Sequence, residues 1–288
     1  MIIGANREEV IKNIAKASNS GEFIRKVETN DPVITKEQGE EIINKYLTCR
    51  KTSSYKLKSF AARKLADFMT CVVNKDTEII GIDKVKDLKG GAIITSNHFS
   101  PLDNTMVRLI AKKLGKKRIN IVSQQRNFAM DGIIGFLMNY ADTIPLGEDH
   151  HYIYRDLTSI IKELTDNDEF VLIYPEQEMW FNYRKPRPAM RGAFYYAAKL
   201  NLPVISCFVE MQDEEELDTE SFHKVRYKIH ILDVLTPDSK KSVRESSREL
   251  CKTDYMLKKN IYETVYQKPL DYTFQSTDIA GWIGELHQ

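Results

Sequence analysis

Hydrophobic residues in the first 75 positions recur at helical spacing. REEVIKNIAKAS places Val10, Ile11, Ile14 and Ala15 on one side of a helix, and KEQGEEIINKYL does the same with Ile42, Ile43 and Leu47. The most regular segment is YKLKSFAARKLADFMTCVV, residues 55–73. Leu57, Phe60, Ala61, Leu65, Phe68, Met69 and Val72 form one stripe there, flanked by Lys56, Lys58, Arg63 and Lys64. A basic amphipathic helix of this kind either lies on an anionic membrane surface or packs its apolar face on the protein. The pattern leaves both readings open.

From about residue 76 the rhythm changes. TEIIGI (77–82), AIITSN (92–97), RINIVSQ (118–124), DTIPLG (142–147), EFVLIYPE (169–176), LPVISCFVE (202–210) and YKIHILDVL (227–235) read as strands. Helical patterns near 103–115, 132–140, 152–165 and 190–200 alternate with them. Such alternation predicts an α/β fold whose largely parallel central sheet is flanked by helices. The expected organisation is a helical N-terminal region over 1–75, an α/β domain over 76–240 and a C-terminal helical extension over 241–288. The tail beyond Pro269 carries little pattern.

Composition narrows the class. Hydrophobic content of 42% with 29% charged residues is that of an ordinary globular chain. The longest apolar stretches, such as FVLIY at 170–174, fall far short of the roughly 20 residues that cross a bilayer. Arg7, Glu8 and Glu9 near the start leave no apolar signal region, so a cytoplasmic location is expected, peripheral on the cytosolic membrane face. The four cysteines have neither metal-type nor redox-type spacing and read as reduced thiols. His150 and His151 lack companion ligands, so no metal is expected.

The net charge is only +1, yet the charges are segregated. Between Asp103 and Asp131 there is no acid, and between Glu178 and Glu210 there is none either, while both stretches are rich in Lys and Arg. Local fields that attract anions are one consequence, and solvated helix faces are the plain alternative. Nucleic-acid binding is not expected, because no groove-reading pattern or strongly basic balance accompanies the clusters.

The candidate chemistry starts at SNHFSPLDN, residues 96–104. A strand delivers Asn97 and His98 to its carboxyl end, where open α/β sheets place their crevice. Asp103 falls at the start of the next helix, five residues on, and can reach back to the imidazole. Such a pair makes a base: the carboxylate fixes the tautomer and steadies the positive charge that develops. Alone the pattern is short, and Asp103 could simply complement the helix dipole. No G-x-S-x-G elbow accompanies it, so a base here would activate a substrate hydroxyl rather than a residue of the protein. About seventy residues on, YPEQEMWFNYRKPRPAMRGA (174–193) brings Glu176 to another strand end, followed by Arg184, Lys185, Arg187 and Arg191. The RKPRP run suits phosphate on a lipid headgroup or on a donor's pantetheine arm, or is a solvated basic loop.

Together NHFSPLD, YPE, MRGA and LPVISCFV resemble the glycerolipid (lysophospholipid) acyltransferase superfamily, in the same order and at similar spacing over about residues 75–235. The resemblance implies acyl transfer from a thioester, on acyl-CoA or acyl carrier protein, to a lipid hydroxyl at a membrane, with no further cofactor. It implies His98 as general base oriented by Asp103. Asn97 belongs to the first block, and Glu176 occupies the position of the family's acceptor-binding carboxylate, against a structural role for the same residue. Arg191 matches a cation of the family. Two positions depart from the family pattern. Gln177 stands where the family has glycine, and no arginine occurs near Gly147 or Glu148, where relatives that use phosphorylated glycerol place one. A glycolipid or another lysolipid is therefore an open alternative to lysophosphatidate as acceptor. A binding protein without turnover, or a thioesterase, are the rival readings.

Overall fold

The structure is a computed structural model that describes residues 7–29 and 31–284. Three helices come first: α1 (Arg7–Ser20), α2 (Lys36–Cys49) and α3 (Ser53–Val73). The start of α2 is set by a capping box, in which Thr35 accepts from the Gln38 amide and Gln38 returns the bond to the Thr35 N–H. There follow β1 (Glu78–Ile80), β2 (Ala92–Thr95), α4 (Asn104–Lys113), β3 (Ile119–Gln124), α5 (Gly132–Tyr140), β4 (Thr143–Leu146), α6 (Thr158–Asp166), β5 (Phe170–Leu172) and α7 (Gly192–Leu200). The long strands β6 (Val204–Thr219) and β7 (Phe222–Leu235) and the helix α8 (Val243–Tyr266) complete the order.

One seven-stranded sheet runs β1-β7-β6-β2-β5-β3-β4, parallel throughout except for β6 against β7. This is the mixed α/β architecture that the alternation predicts. β2 is buried along its whole length because both its faces are covered. Ile94 packs with Met106, Val107 and Ile110 of α4, while Ile93 packs with Ile160 and Ile161 of α6 and Phe194 of α7.

The structure departs from the sequence expectation in two places and decides between two readings in a third. β6 and β7 extend well beyond 202–210 and 227–235 into a long hairpin. Its acidic arm is matched across the ladder, with Glu214 2.8 Å from Arg226 and Glu216 2.5 Å from Lys224. The segment after Pro269 is packed: Phe274, Ile279 and Trp282 join Val10, Ile11 and Ile14 of α1 around Trp180. The third place is α3. It turns a face of small residues inward, namely Ser59, Ala62, Ala66 and Thr70. Leu57, Phe60, Phe68 and Val72 are left 71%, 55%, 67% and 60% exposed, which overturns the packing alternative for those four side chains.

Candidate active site

β2 and β5 are adjacent and parallel, with Ala92 opposite Phe170 and Ile94 opposite Leu172. Both chains therefore leave the sheet at the same edge, and two sequence blocks some seventy residues apart meet there. His98 follows β2 and Tyr174 follows β5. Their rings stack with centroids 4.0 Å apart and planes inclined by 14°.

Asp103 lies at the N-cap of α4 and is buried. Its Oδ2 is 2.8 Å from His98 Nδ1 and also accepts the backbone N–H of Phe99 (2.9 Å) and of Ser100 (3.1 Å). Its Oδ1 accepts the Tyr174 hydroxyl at 2.5 Å. Burial first, then the Asp103 charge, push the Tyr174 phenol well above its ordinary value, so it stays a donor. A carboxylate held by four donors cannot turn away from the imidazole. It accepts the Nδ1–H hydrogen bond and so leaves the lone pair on Nε2, which has no hydrogen bond among the described residues and belongs to a side chain 20% exposed. The geometry is that of an oriented imidazole with its second nitrogen open.

The second block does something different. Glu176 is buried, and its oxygens accept from the Arg187 backbone N–H (3.0 Å), Arg187 Nε (3.2 Å), Arg187 Nη2 (2.9 Å) and the His98 backbone N–H (3.2 Å). Arg187 is buried as well. It further donates to the carbonyls of Phe23 (2.9 Å), His98 (3.5 Å) and Glu178, and its guanidinium lies 4.5 Å over the Trp180 ring. These groups tie the loop after β5 to the turn after β2.

The other expected site residues sort in the same manner. The Asn97 side chain is buried and pairs with the backbone of Val209 (3.1 and 2.8 Å), like one more rung of β6. Lys185 is buried against Asp278 at 2.6 Å and donates to the Thr273 carbonyl. Arg184 contacts Asp213 and donates to the Thr277 carbonyl at 2.7 Å. Thus Asn97, Glu176, Arg184, Lys185 and Arg187 are engaged within the protein in this structure, and RKPRP is no solvated loop. The physical reason is the C-terminal segment folded over it. Arg191 alone of the set is exposed, at the N-cap of α7, beside a cavity of about 240 Å³ shared with Arg248, Lys252 and Tyr255 of α8.

Both departures from the family pattern have a structural counterpart. Gln177 takes a left-handed φ of 66°, the conformation glycine would adopt there without strain. Glu178 engages Arg126 at 2.7 Å and Gln124 at 2.8 Å, so Arg126 is paired rather than free. Gly147 lies against Ile43 of α2, close enough that a Cβ would meet that side chain at 2.3 Å. The sequence reading missed Tyr174, whose place one residue before Pro175 at the same strand end was the available signal.

Residues 76–210, just under half the chain, match the family model described as Acyltransferase. That segment belongs to the acyltransferase family, and the protein is an enzyme of the acyl-transferring class. The fold is similar to the crystal structure of the 1-acyl-sn-glycerophosphate (LPA) acyltransferase PlsC from Thermotoga maritima, at a TM-score of 0.50 and 16% identity. The match covers 91% of this chain and 99% of that one. No curated protein matches the sequence.

Proposed function

We propose that the protein moves a fatty acyl group from a thioester, acyl-CoA or acyl carrier protein, to a hydroxyl of a lysolipid. The observation that carries this is the His98–Asp103 pair, with Nδ1 fixed at 2.8 Å and Nε2 open. Nε2 takes the acceptor's hydroxyl proton as that oxygen bonds to the thioester carbonyl carbon. The tetrahedral intermediate then breaks its C–S bond, and the imidazolium returns the proton to the departing thiolate, giving an ester and a free thiol. The backbone N–H groups of His98, Phe99 and Ser100 are already engaged by Glu176 and Asp103, so the donors that steady the oxyanion lie elsewhere.

The acceptor meets this crevice at a membrane surface. Supporting this are the outward Leu57, Phe60, Phe68 and Val72 of α3 and the exposed Ile133 and Ile134 of α5, which packs against α3. Lys56, Lys58 and Lys64 flank the apolar stripe and are exposed. No helix among the described residues is long and apolar enough to cross a bilayer. Binding to anionic vesicles should therefore weaken as salt is raised, and binding indifferent to lipid charge and salt would count against this surface.

The catalytic reading is tested by single-turnover transfer from a labelled thioester to a mixed membrane-lipid extract. Label should enter one lipid class, and His98→Ala should lower the rate by roughly 10²–10⁴-fold. Label appearing as free fatty acid would make the protein a thioesterase instead. Equal inertness of native and variant proteins that both bind lipid would make it a binding protein.

A further inference from the structure

Residues 21–29 and 31–35, outside the family-matched segment, form a strap between α1 and α2 that reaches the site. The Phe23 carbonyl accepts from Arg187 Nη1 at 2.9 Å, and the Arg25 carbonyl accepts from the Trp180 indole at 3.0 Å. Val27 is buried and held from α1, its carbonyl accepting Asn13 Nδ2 at 3.2 Å. Trp180 and Arg187 also hold the His98 carbonyl, the first through its backbone N–H at 3.1 Å and the second through Nη2 at 3.5 Å. Strap and catalytic turn are thus clamped by the same two residues.

The next side chain along the strap is Glu28. Its Oε1 is buried with no hydrogen-bond partner. Leaving such an oxygen unmet costs about 1–3 kcal/mol, more when it is charged, so an explanation is required. Its carboxyl is raised from 4.5 to about 7, by burial first and then by Asp31 of the same strap. Arg7 of α1, His98 and Lys26 pull it back down. The strap that carries Glu28 and the turn that carries His98 are held by the same Trp180 and Arg187, and the His98 imidazole is among the charges that act on this carboxyl.

We propose that Glu28 is an acceptor-binding residue that determines specificity. Its free oxygen accepts a hydrogen bond from a second hydroxyl, or from an ammonium group, of the headgroup whose reacting hydroxyl faces His98. Its negative charge disfavours an acceptor that carries a phosphate monoester there. This rests on the acyl-transfer reading above and names the acceptor class: a polyol or amine headgroup rather than a phosphorylated one. The unmet oxygen, the paired state of Arg126 and the packing of Gly147 against Ile43 point the same way.

The test uses the full chain with monoacylglycerol and its 3-phosphate, matched in acyl chain, measured by competition binding and by initial rate from pH 6 to 8. The native protein should favour monoacylglycerol increasingly as pH rises. In Glu28→Gln that preference should fall on the order of tenfold at pH 8. The phosphate titrates over the same range, so the native-minus-variant difference isolates the carboxyl. Glu28→Asp should restore part of the preference. Asp31→Asn, which removes a repulsion, should move the midpoint of that difference to lower pH. An unchanged ratio in Glu28→Gln, or native preference for the phosphorylated lipid at pH 8, overturns the proposal. If the binding ratio behaves as expected but no thioester acylates either lipid, acyl transfer fails and the Glu28 site stands. Transfer with a ratio indifferent to Glu28→Gln means the converse.

Discussion

The turn after β2 and the loop after β5 both carry an ionisable pair, yet the pairs do opposite things. In His98–Asp103 the carboxylate is saturated with donors while the imidazole keeps Nε2 open. In Glu176–Arg187 both partners are buried, and the ion pair is ringed by backbone groups. One pair leaves a nitrogen open, which the proposed mechanism uses for substrate, and the other joins two loops. What separates a reacting group from a structural one here is where the last hydrogen bond goes, rather than residue type or order in the chain.

Breaking each pair should separate the two roles. Asp103→Asn keeps the shape but disrupts the tautomer, and should lower the single-turnover rate by about 10³–10⁴-fold with little change in Tm. Arg187→Met leaves Glu176 buried without its partner. It should destabilise by about 3–5 kcal/mol, lowering Tm by roughly 10 °C, and adding Glu176→Leu should recover much of that loss. Tyr174→Phe removes one donor from Asp103 and should slow the rate about tenfold with little change in Tm. Gln177→Gly relieves the left-handed φ of 66° and should stabilise by about 0.5 kcal/mol in thermal unfolding, without changing the rate.

A pH-dependent effect concerns Glu28. Its folded value of about 7 exceeds 4.5, so its contribution to stability is complete below about 4.5 and is lost as pH rises through about 7. Gln cannot ionise, so the Tm of Glu28→Gln minus that of native protein should grow from pH 5 to pH 8. A difference independent of pH would mean that this carboxyl is solvated.

Much of the fold is legible along the chain. The strands β1 to β5 and the helices α4, α5 and α7 fall within a few residues of their hydrophobic patterns, because each must bury a side with its own period. The end of the β6–β7 hairpin is not legible, since an acidic run looks like a solvated loop until Lys224 and Arg226 stand across from it. In α3 the helical period is plain, but a stripe of Leu and Phe gives no sign that the small face of Ala62 and Ala66 is the one that packs.

The sequence by itself determined the alternation of strands and helices, the acyltransferase class through its ordered blocks, and the five-residue step that lets Asp103 reach His98. These are local or nearly local quantities, set by backbone periodicity and by the reach of one side chain across a single turn. The tertiary structure alone decided that Lys185 and Arg187 are enclosed, that α3 presents its apolar stripe outward, and that Glu28 keeps a buried oxygen without a partner. Each of those depends on a segment remote in the chain: the packed residues 274–282, the surface of α5, or the strap after α1. A charge has the same letter whether it meets water or a buried partner, and only the fold says which.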